Sequence, residues 1–193
     1  MHFTGVGMGR NCLRALILIS GGIDSTACIK YYQDLGFNVD GFFVNYGQKA
    51  HLKEYEAVKK ISAFYEIAYT TLTLQDTLDI SSGEILGRNG FLIMAALLAN
   101  PNFSGLLVLG IHSGISYYDC SKEFIKKMNS IVMEYSNGQI KIDTPFIDWD
   151  KKMIVSYCRD TGVPLHLTYS CENGDDPCGK CLSCLDRSAL NVS

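Results

Sequence analysis

The chain has 193 residues, 47% hydrophobic and 19% charged, a balance that predicts one soluble globular domain with a substantial core and excludes two full domains. Its net charge of −3, with no long Lys/Arg cluster, gives no strong nucleic-acid signal and favours a small-molecule partner. No apolar stretch approaches the roughly 20 residues that span a bilayer, so no membrane partner is expected; the opening MHFTGVGMGRNCLR lacks the apolar centre of a secretory signal, which predicts a cytoplasmic protein with a loose lead-in of a dozen residues.

Along the chain, strand-like and helical runs alternate. Leu16 to Ile19 predicts a strand, and a helix follows from about Ser25 to Leu35, with Ala27, Tyr31 and Leu35 on one face. Val39 to Asn45 predicts the second strand, and Leu52, Tyr55, Val58, Ile61 and Tyr65 trace a second helical stripe. Ile67 to Leu74 reads as a third strand; a loop carrying Asp76, Asp79, Ser81, Ser82 and Gly83 then leads to an apolar helix from Gly90 to Ala99, closed by Asn100-Pro101. Leu106 to Ile111 is a continuous apolar run of the kind buried in parallel sheets. A helix from Lys122 to Tyr135, a strand from Ile140 to Ile142 and a helix from Lys151 to about Arg159 complete the pattern. Such alternation predicts a parallel sheet covered by helices on both faces, with ligands beyond the carboxyl ends of the strands. The division expected is a body over residues 12–165 and a C-terminal segment over 166–193 packed on it.

The first strand runs into ISGGIDSTA, residues 19–27. Gly21 and Gly22 let successive N–H groups curl toward an anion, and the helix that follows adds the positive end of its dipole. Ser20 and Ser25 offer hydroxyl donors to phosphate oxygens, and Asp24 offers a carboxylate to the magnesium that accompanies a nucleotide. The plainer reading is a strand-to-helix turn with Asp24 or Ser25 as N-cap. The loop lacks the lysine of the Walker A pattern, which weakens a kinase or GTPase reading.

Eight cysteines are present. Cys12, Cys28, Cys120 and Cys158 are scattered, whereas Cys171, Cys178, Cys181 and Cys184 fall within 14 residues. Two successive C-x-x-C steps plus a fourth thiolate suit a tetrahedral zinc ion with no open position, hence a structural one. A redox or disulfide pair is the alternative.

The complete SGGxDS string resembles the pyrophosphate loop of the ATP pyrophosphatases, which include asparagine and GMP synthetases and tRNA-thiolating enzymes. Followed in order by NYGQ (45–48), GRN (87–89), YDC (118–120) and TYSCENG…CGKCLSCLDR, it resembles the 7-cyano-7-deazaguanine synthase (QueC) family from about Leu16 to Arg187. The resemblance implies an α/β fold, a Rossmann-like parallel sheet of the adenine-nucleotide alpha hydrolase (PP-loop ATP pyrophosphatase) type with a C-terminal zinc-binding segment, and a homodimer. It implies a ligase that splits ATP between the α and β phosphates, places AMP on the carboxylate of 7-carboxy-7-deazaguanine, and uses ammonia to make an amide and then the nitrile of queuosine precursor biosynthesis. The implied roles fall on Ser20, Asp24, Ser25 and Arg88 in catalysis, on Ser20, Gly21, Gly22, Asp24, Ser25, Gln48 and Asn89 around ATP and Mg2+, and on Arg88, Tyr117, Tyr118 and Asp119 around the acid. Cys171, Cys178, Cys181 and Cys184 would hold Zn2+. Arg88 has a fork suited to oxygen pairs, Asp119 suits the N–H edge of a guanine-like base, and the tyrosines suit stacking. The plainer readings are Arg88 as a helix cap, the tyrosines as core, and Lys49 or His51 as a solvated helix start.

One stretch departs from the family's pattern. Where a sequence resembling GVNALDYSGYPDCR is usual, this chain has a shorter GIHSGISYYDCS, with His112 in place of Asn, Tyr118 in place of Pro and Ser121 in place of Arg; Leu86 replaces the Pro common before GRN. The departures surround the expected acid pocket and leave the ATP loop intact. They open a second reading, a divergent member that joins the activated acid to another amine, such as a protein N-terminus. QueC-like proteins with such proposed conjugation occur in anti-phage operons. His112 reads equally as a satisfied core histidine. A tRNA sulfurtransferase would want a catalytic cysteine or iron–sulfur site and a basic face, and a non-catalytic nucleotide-binding subunit would have lost loop residues.

Overall fold

Alternation along the first strand sets the layers. In the computed structural model, which describes residues 13–74, 84–174 and 176–192, Ala15, Ile17 and Ile19 point into one apolar cluster while Leu16 and Leu18 meet another. The strand is therefore buried on both faces, as a central parallel strand must be. Each large side chain so buried contributes about 1.5–3 kcal/mol relative to exposure. Cys12 and the predicted loop residues Asp76, Asp79, Ser81, Ser82 and Gly83 lie outside the described residues.

Five parallel strands form the sheet: β1 (Arg14–Leu18), β2 (Asn38–Asn45), β3 (Tyr69–Thr73), β4 (Gly105–Val108) and β5 (Ile140–Asp143). Their spatial order is β3-β2-β1-β4-β5, with Ile17 beside Gly41 on one side and Val108 on the other. Helices α1 (Ile23–Asp34), α2 (His51–Tyr65) and α5 (Lys151–Thr161) cover one face, through Ile23, Ala27, Val58, Ile61 and Ile154. Helices α3 (Arg88–Ala99) and α4 (Lys122–Tyr135) cover the other, through Ile93, Ala96, Phe124 and Val132. The winding runs outward from β1 to β3 and then restarts on the opposite side of β1 at β4. The direction thus reverses between β1 and β4, which opens a crevice at their carboxyl ends.

Several boundaries differ from the sequence pattern. α1 begins at Ile23 with Gly22 at the N-cap position, so Asp24 and Ser25 stand inside its first turn and neither is the cap. α3 starts at Arg88, two residues before the predicted Gly90. The cysteine segment closes with an unpredicted helix α6 (Leu182–Ala189), a short amphipathic helix of about two turns whose pattern the interleaved cysteines obscure. Among the described residues, no helix is long and apolar enough to cross a membrane.

Candidate active site

The glycine loop is built where β1 delivers it. Gly21 has φ +75°, and a β-carbon there would lie 2.7 Å from the Glu54 carbonyl oxygen and 2.9 Å from Ala57 Cβ. Only glycine lets the loop press against α2 in this way. Ser25 braces it from within: its Oγ accepts from the Ser20 N–H and donates to the Gly22 carbonyl, both at 3.2 Å. Thr26 Oγ1 adds a donor to that same carbonyl at 2.7 Å. Ser20 remains exposed at the lip, with its hydroxyl 3.3 Å from the Gly22 N–H that donates to it.

Two adjoining lobes of about 360 and 270 Å3 occupy the switch-point crevice. The smaller is lined by the loop residues Ser20, Gly22 and Asp24 and by Tyr46, Gln48 and Glu54; the larger by His112, Tyr117, Asp150, Lys152 and Asp186. Asp24, Arg88, Ile115, Lys151, Glu172 and Ser183 line both and so form the junction. A larger cavity of about 460 Å3, lined by Leu98, Phe103 and Tyr135, sits among the segments leading into β4 and β5, at the amino edge of the sheet, and has no charged side chain. Chemistry therefore points to the crevice and not to that larger hollow.

At the junction, Lys151 Nζ donates to both carboxylate oxygens of Asp24, each at 2.7 Å. Arg88, at the start of α3, faces the smaller lobe beside Tyr46 and Glu54. Burial pushes the Glu54 carboxyl up from its ordinary value, and the Gln48 amide and the Arg88 charge only partly oppose this. Burial likewise raises the Tyr46 phenol, again opposed by Arg88.

The other residues singled out in the sequence separate into two groups. Gln48 is buried in the wall with its amide committed: Oε1 accepts from the Tyr46 N–H at 2.9 Å, and Nε2 donates to the Val44 carbonyl at 3.1 Å and to Glu54 Oε2 at 2.8 Å. Asn89 and Asp119 face each other. The Asn89 backbone N–H donates to Asp119 Oδ2 at 2.9 Å and its amide donates to the Asp119 carbonyl at 3.0 Å. This pair ties the first turn of α3 to the 3-10 turn at Tyr118–Cys120 and so positions Arg88. Tyr117 lines the larger lobe. Tyr118 is 55% exposed and packs edge-on against Phe124, with the Lys127 ammonium over its ring.

The C-terminal segment supplies the opposite wall. The Tyr169 N–H donates to the Gly21 carbonyl at 2.8 Å, and Ser183 Oγ donates to Glu172 Oε1 at 2.8 Å where both line the crevice. Arg187 holds this segment from behind through Thr168 Oγ1 at 2.8 Å. The ligand atoms of Cys171, Cys178, Cys181 and Cys184 lie within 4.8 Å of one another. The Asn173 and Cys178 N–H groups point at Cys171 Sγ, at 3.5 and 3.4 Å, and the Cys181 N–H points at Cys178 Sγ at 3.3 Å. The Asn173 amide and backbone donors pull the Cys178 thiol down to about 6, into the thiolate range at neutral pH. Four sulfurs that close, two of them met by N–H donors, fit a tetrahedral ion such as zinc.

Lys151, Tyr46, Glu54, Glu172 and Ser183 were not apparent as site residues in the sequence. Glu172 and Ser183 had a signal, since they interleave with the cysteines; Lys151 had none, being one of two adjacent lysines 127 positions from its partner.

Comparison with known proteins agrees with this architecture. A family model described as "Queuosine biosynthesis protein QueC" matches residues 14–87 and 79–191. The chain is 32% identical over 205 residues to a 7-cyano-7-deazaguanine synthase of Campylobacter jejuni, covering 90% of this chain and 91% of that one. It is 30% identical to the enzyme of the same name from Archaeoglobus fulgidus, covering 91% and 84%. Among solved structures, the NH3-dependent NAD synthetase of Campylobacter jejuni superposes with a TM-score of 0.52 at 13% identity, over 84% of this chain and 72% of that one. The fold is the parallel α/β architecture of the PP-loop ATP pyrophosphatases. By its sequence and its fold, the chain belongs to the QueC family.

Proposed function

We propose that this chain is an ATP-dependent 7-cyano-7-deazaguanine synthase, a ligase that activates 7-carboxy-7-deazaguanine as its acyl adenylate. The observation that carries the reading is the junction at the switch point, where the glycine loop, Asp24, Lys151 and Arg88 surround one crevice. A carboxylate is a poor acyl donor because oxide would have to leave. Attack of a carboxylate oxygen on the α-phosphorus of ATP expels pyrophosphate and leaves AMP as a good leaving group. The nitrogen of ammonia then bonds to the acyl carbon, AMP departs with the C–O bond pair, and a proton is lost to give the amide. A second adenylation, on the amide oxygen, lets AMP leave with loss of two protons to form the nitrile.

The roles follow from position. Ser20, Gly21, Gly22 and Ser25 cradle the phosphates, with α1's N-terminus adding its dipole. Asp24 would hold Mg2+, which would supply charge stabilisation for the departing pyrophosphate, and Lys151 is released from Asp24 to meet a phosphate oxygen. Arg88 meets a phosphate or carboxylate pair, while Gln48, Asn89 and Asp119 act by holding the walls. Tyr117 flanks the acid, and Tyr118 caps the outer edge of that region. Cys171, Cys178, Cys181 and Cys184 would hold Zn2+, which would fix the C-terminal wall. The working unit is a cytoplasmic homodimer with a 12–165 body and a 166–193 metal-binding segment.

A second reading keeps the activation step and changes the amine, to one on a protein. It is favoured by Tyr118 standing exposed and Asp119 being engaged by α3, in the stretch that departs from the family pattern. Exchange of labelled pyrophosphate into ATP tests the step common to both. Exchange that depends on 7-carboxy-7-deazaguanine supports activation, and exchange indifferent to it contradicts the reading.

A further inference from the structure

His112 stands just beyond β4, across the switch point from the glycine loop. It is only 5% exposed, yet its side chain lines the larger lobe with Asp24, Lys151 and Asp186. The Gly114 N–H donates to its Nδ1 at 3.1 Å, so in the neutral ring Nδ1 is the acceptor and the proton resides on Nε2. That approach is close: a β-carbon at Gly114 would lie 3.0 Å from both Nδ1 and Cε1. Burial lowers the imidazole's affinity for a second proton, with Asp24 opposing and Lys151 assisting. A second proton would also set an Nδ1–H against the Gly114 N–H. Among the described residues no protein acceptor meets Nε2, and it is not one of the sealed, unpartnered atoms, which are Ser62 Oγ and Tyr65 Oη. A single N–H donor is thus kept for whatever occupies the lobe.

We propose that His112 is a substrate-contacting residue whose neutral Nε2–H donates to a carboxyl oxygen of the acid and holds it against the adenylation junction. This rests on the activation reading above. The assignment to oxygen follows from the tautomer: an N–H donor can serve a carboxyl or acyl oxygen but cannot accept from an ammonium ion or take a proton from an amine. The assignment to the reacting end of the acid follows from the neighbours, since Asp24 and Lys151 mark the phosphate end of the crevice. A neutral donor strengthens oxygen binding there without competing for the Lys151 or Arg88 charges.

The tautomer is tested first on unmodified, imidazole-15N-labelled protein by long-range 15N–1H correlation, with the His112 signals assigned by their loss in His112→Asn. An Nε2–H tautomer whose proton shifts downfield on adding 7-carboxy-7-deazaguanine with a non-hydrolysable ATP analogue supports the contact; an Nδ1–H tautomer, or no shift on saturation, overturns it. Kinetics then separate contact from packing. His112→Leu is expected to lower kcat/KM for the acid about 100-fold with KM for ATP unchanged, while His112→Asn, which keeps an N–H, stays within about tenfold. Wild-type kcat/KM in the leucine variant, or equal losses in both variants, contradicts the proposal. Acid binding that shifts the Nε2 proton without any AMP formation would sink the activation reading and leave the His112 contact standing.

Discussion

Lys151, the first residue of α5, holds both carboxylate oxygens of Asp24 in the first turn of α1, each at 2.7 Å. The two side chains are 18% and 22% exposed. A lysine at a helix N-terminus opposes the dipole, whereas an aspartate there is favoured; Lys151 therefore breaks a local preference at the spot where a phosphate chain would lie. Asp24→Ala is expected to abolish ATP turnover while the protein stays folded, at a cost of about 1–3 kcal/mol for stranding Lys151. Lys151→Met is expected to lower kcat about 100-fold or more. Circular dichroism with turnover checks both, and full turnover in the Asp24 variant would remove it from the magnesium role.

Gly110 lies against the start of α1: a β-carbon there would be 2.8 Å from the Asp24 carbonyl carbon and 2.9 Å from the Ser25 nitrogen. Those are backbone atoms with no room to yield, so Gly110→Ala must displace the first turn of the helix. The expected outcome is about 1–3 kcal/mol of lost stability and ATP affinity weakened about tenfold or more. Calorimetric titration of ATP into a variant that still melts cooperatively measures this, and unchanged affinity would show that the turn tolerates the shift.

The cysteine segment and the glycine loop are joined by the hydrogen bond from the Tyr169 N–H to the Gly21 carbonyl, two residues before Cys171. Cys181→Ser is expected to release zinc, lower the melting temperature and weaken ATP binding together, because metal binding at a structural four-cysteine site contributes to folding. Elemental analysis beside ATP titration decides; zinc retained at full occupancy would speak against the four-cysteine site.

Glu54 carries a pH signature. Its carboxyl binds a proton more tightly in the folded chain than in the unfolded one, since burial outweighs the help from Gln48 and Arg88. A raised folded-state value means that its unfavourable contribution is absent below the ordinary glutamate range and grows as pH rises through the folded value. Glu54→Gln, which keeps an acceptor for the Gln48 amide, is expected to be more stable relative to wild type at pH 7–8 than at pH 4. Denaturant midpoints across that range test it, and a difference that stays constant with pH would contradict the assignment.

The parallel sheet was legible because continuous apolar runs such as Leu16 to Ile19 and Leu106 to Ile111 alternate with helical stripes along the chain. The glycine loop was legible because its chemistry is contiguous from Ser20 to Ser25. Lys151 was not, because its meaning lies in a partner brought near by the winding of the sheet. Asn89 and Asp119 were noticed for their chemistry, but their mutual hydrogen bonds depend on where α3 meets the 3-10 turn. Gln48 lines the smaller lobe, but the hydrogen bonds that commit its amide to Tyr46, Val44 and Glu54 are set by the turn between β2 and α2 and are not written in the sequence.

The most direct measurement is to incubate the purified protein with ATP, Mg2+ and 7-carboxy-7-deazaguanine, with and without ammonium, and follow AMP release and product mass together. The account predicts acid-dependent AMP release and, with ammonium, the mass of 7-cyano-7-deazaguanine. Absence of acid-dependent AMP, with zinc bound and ATP shown to bind, would contradict it.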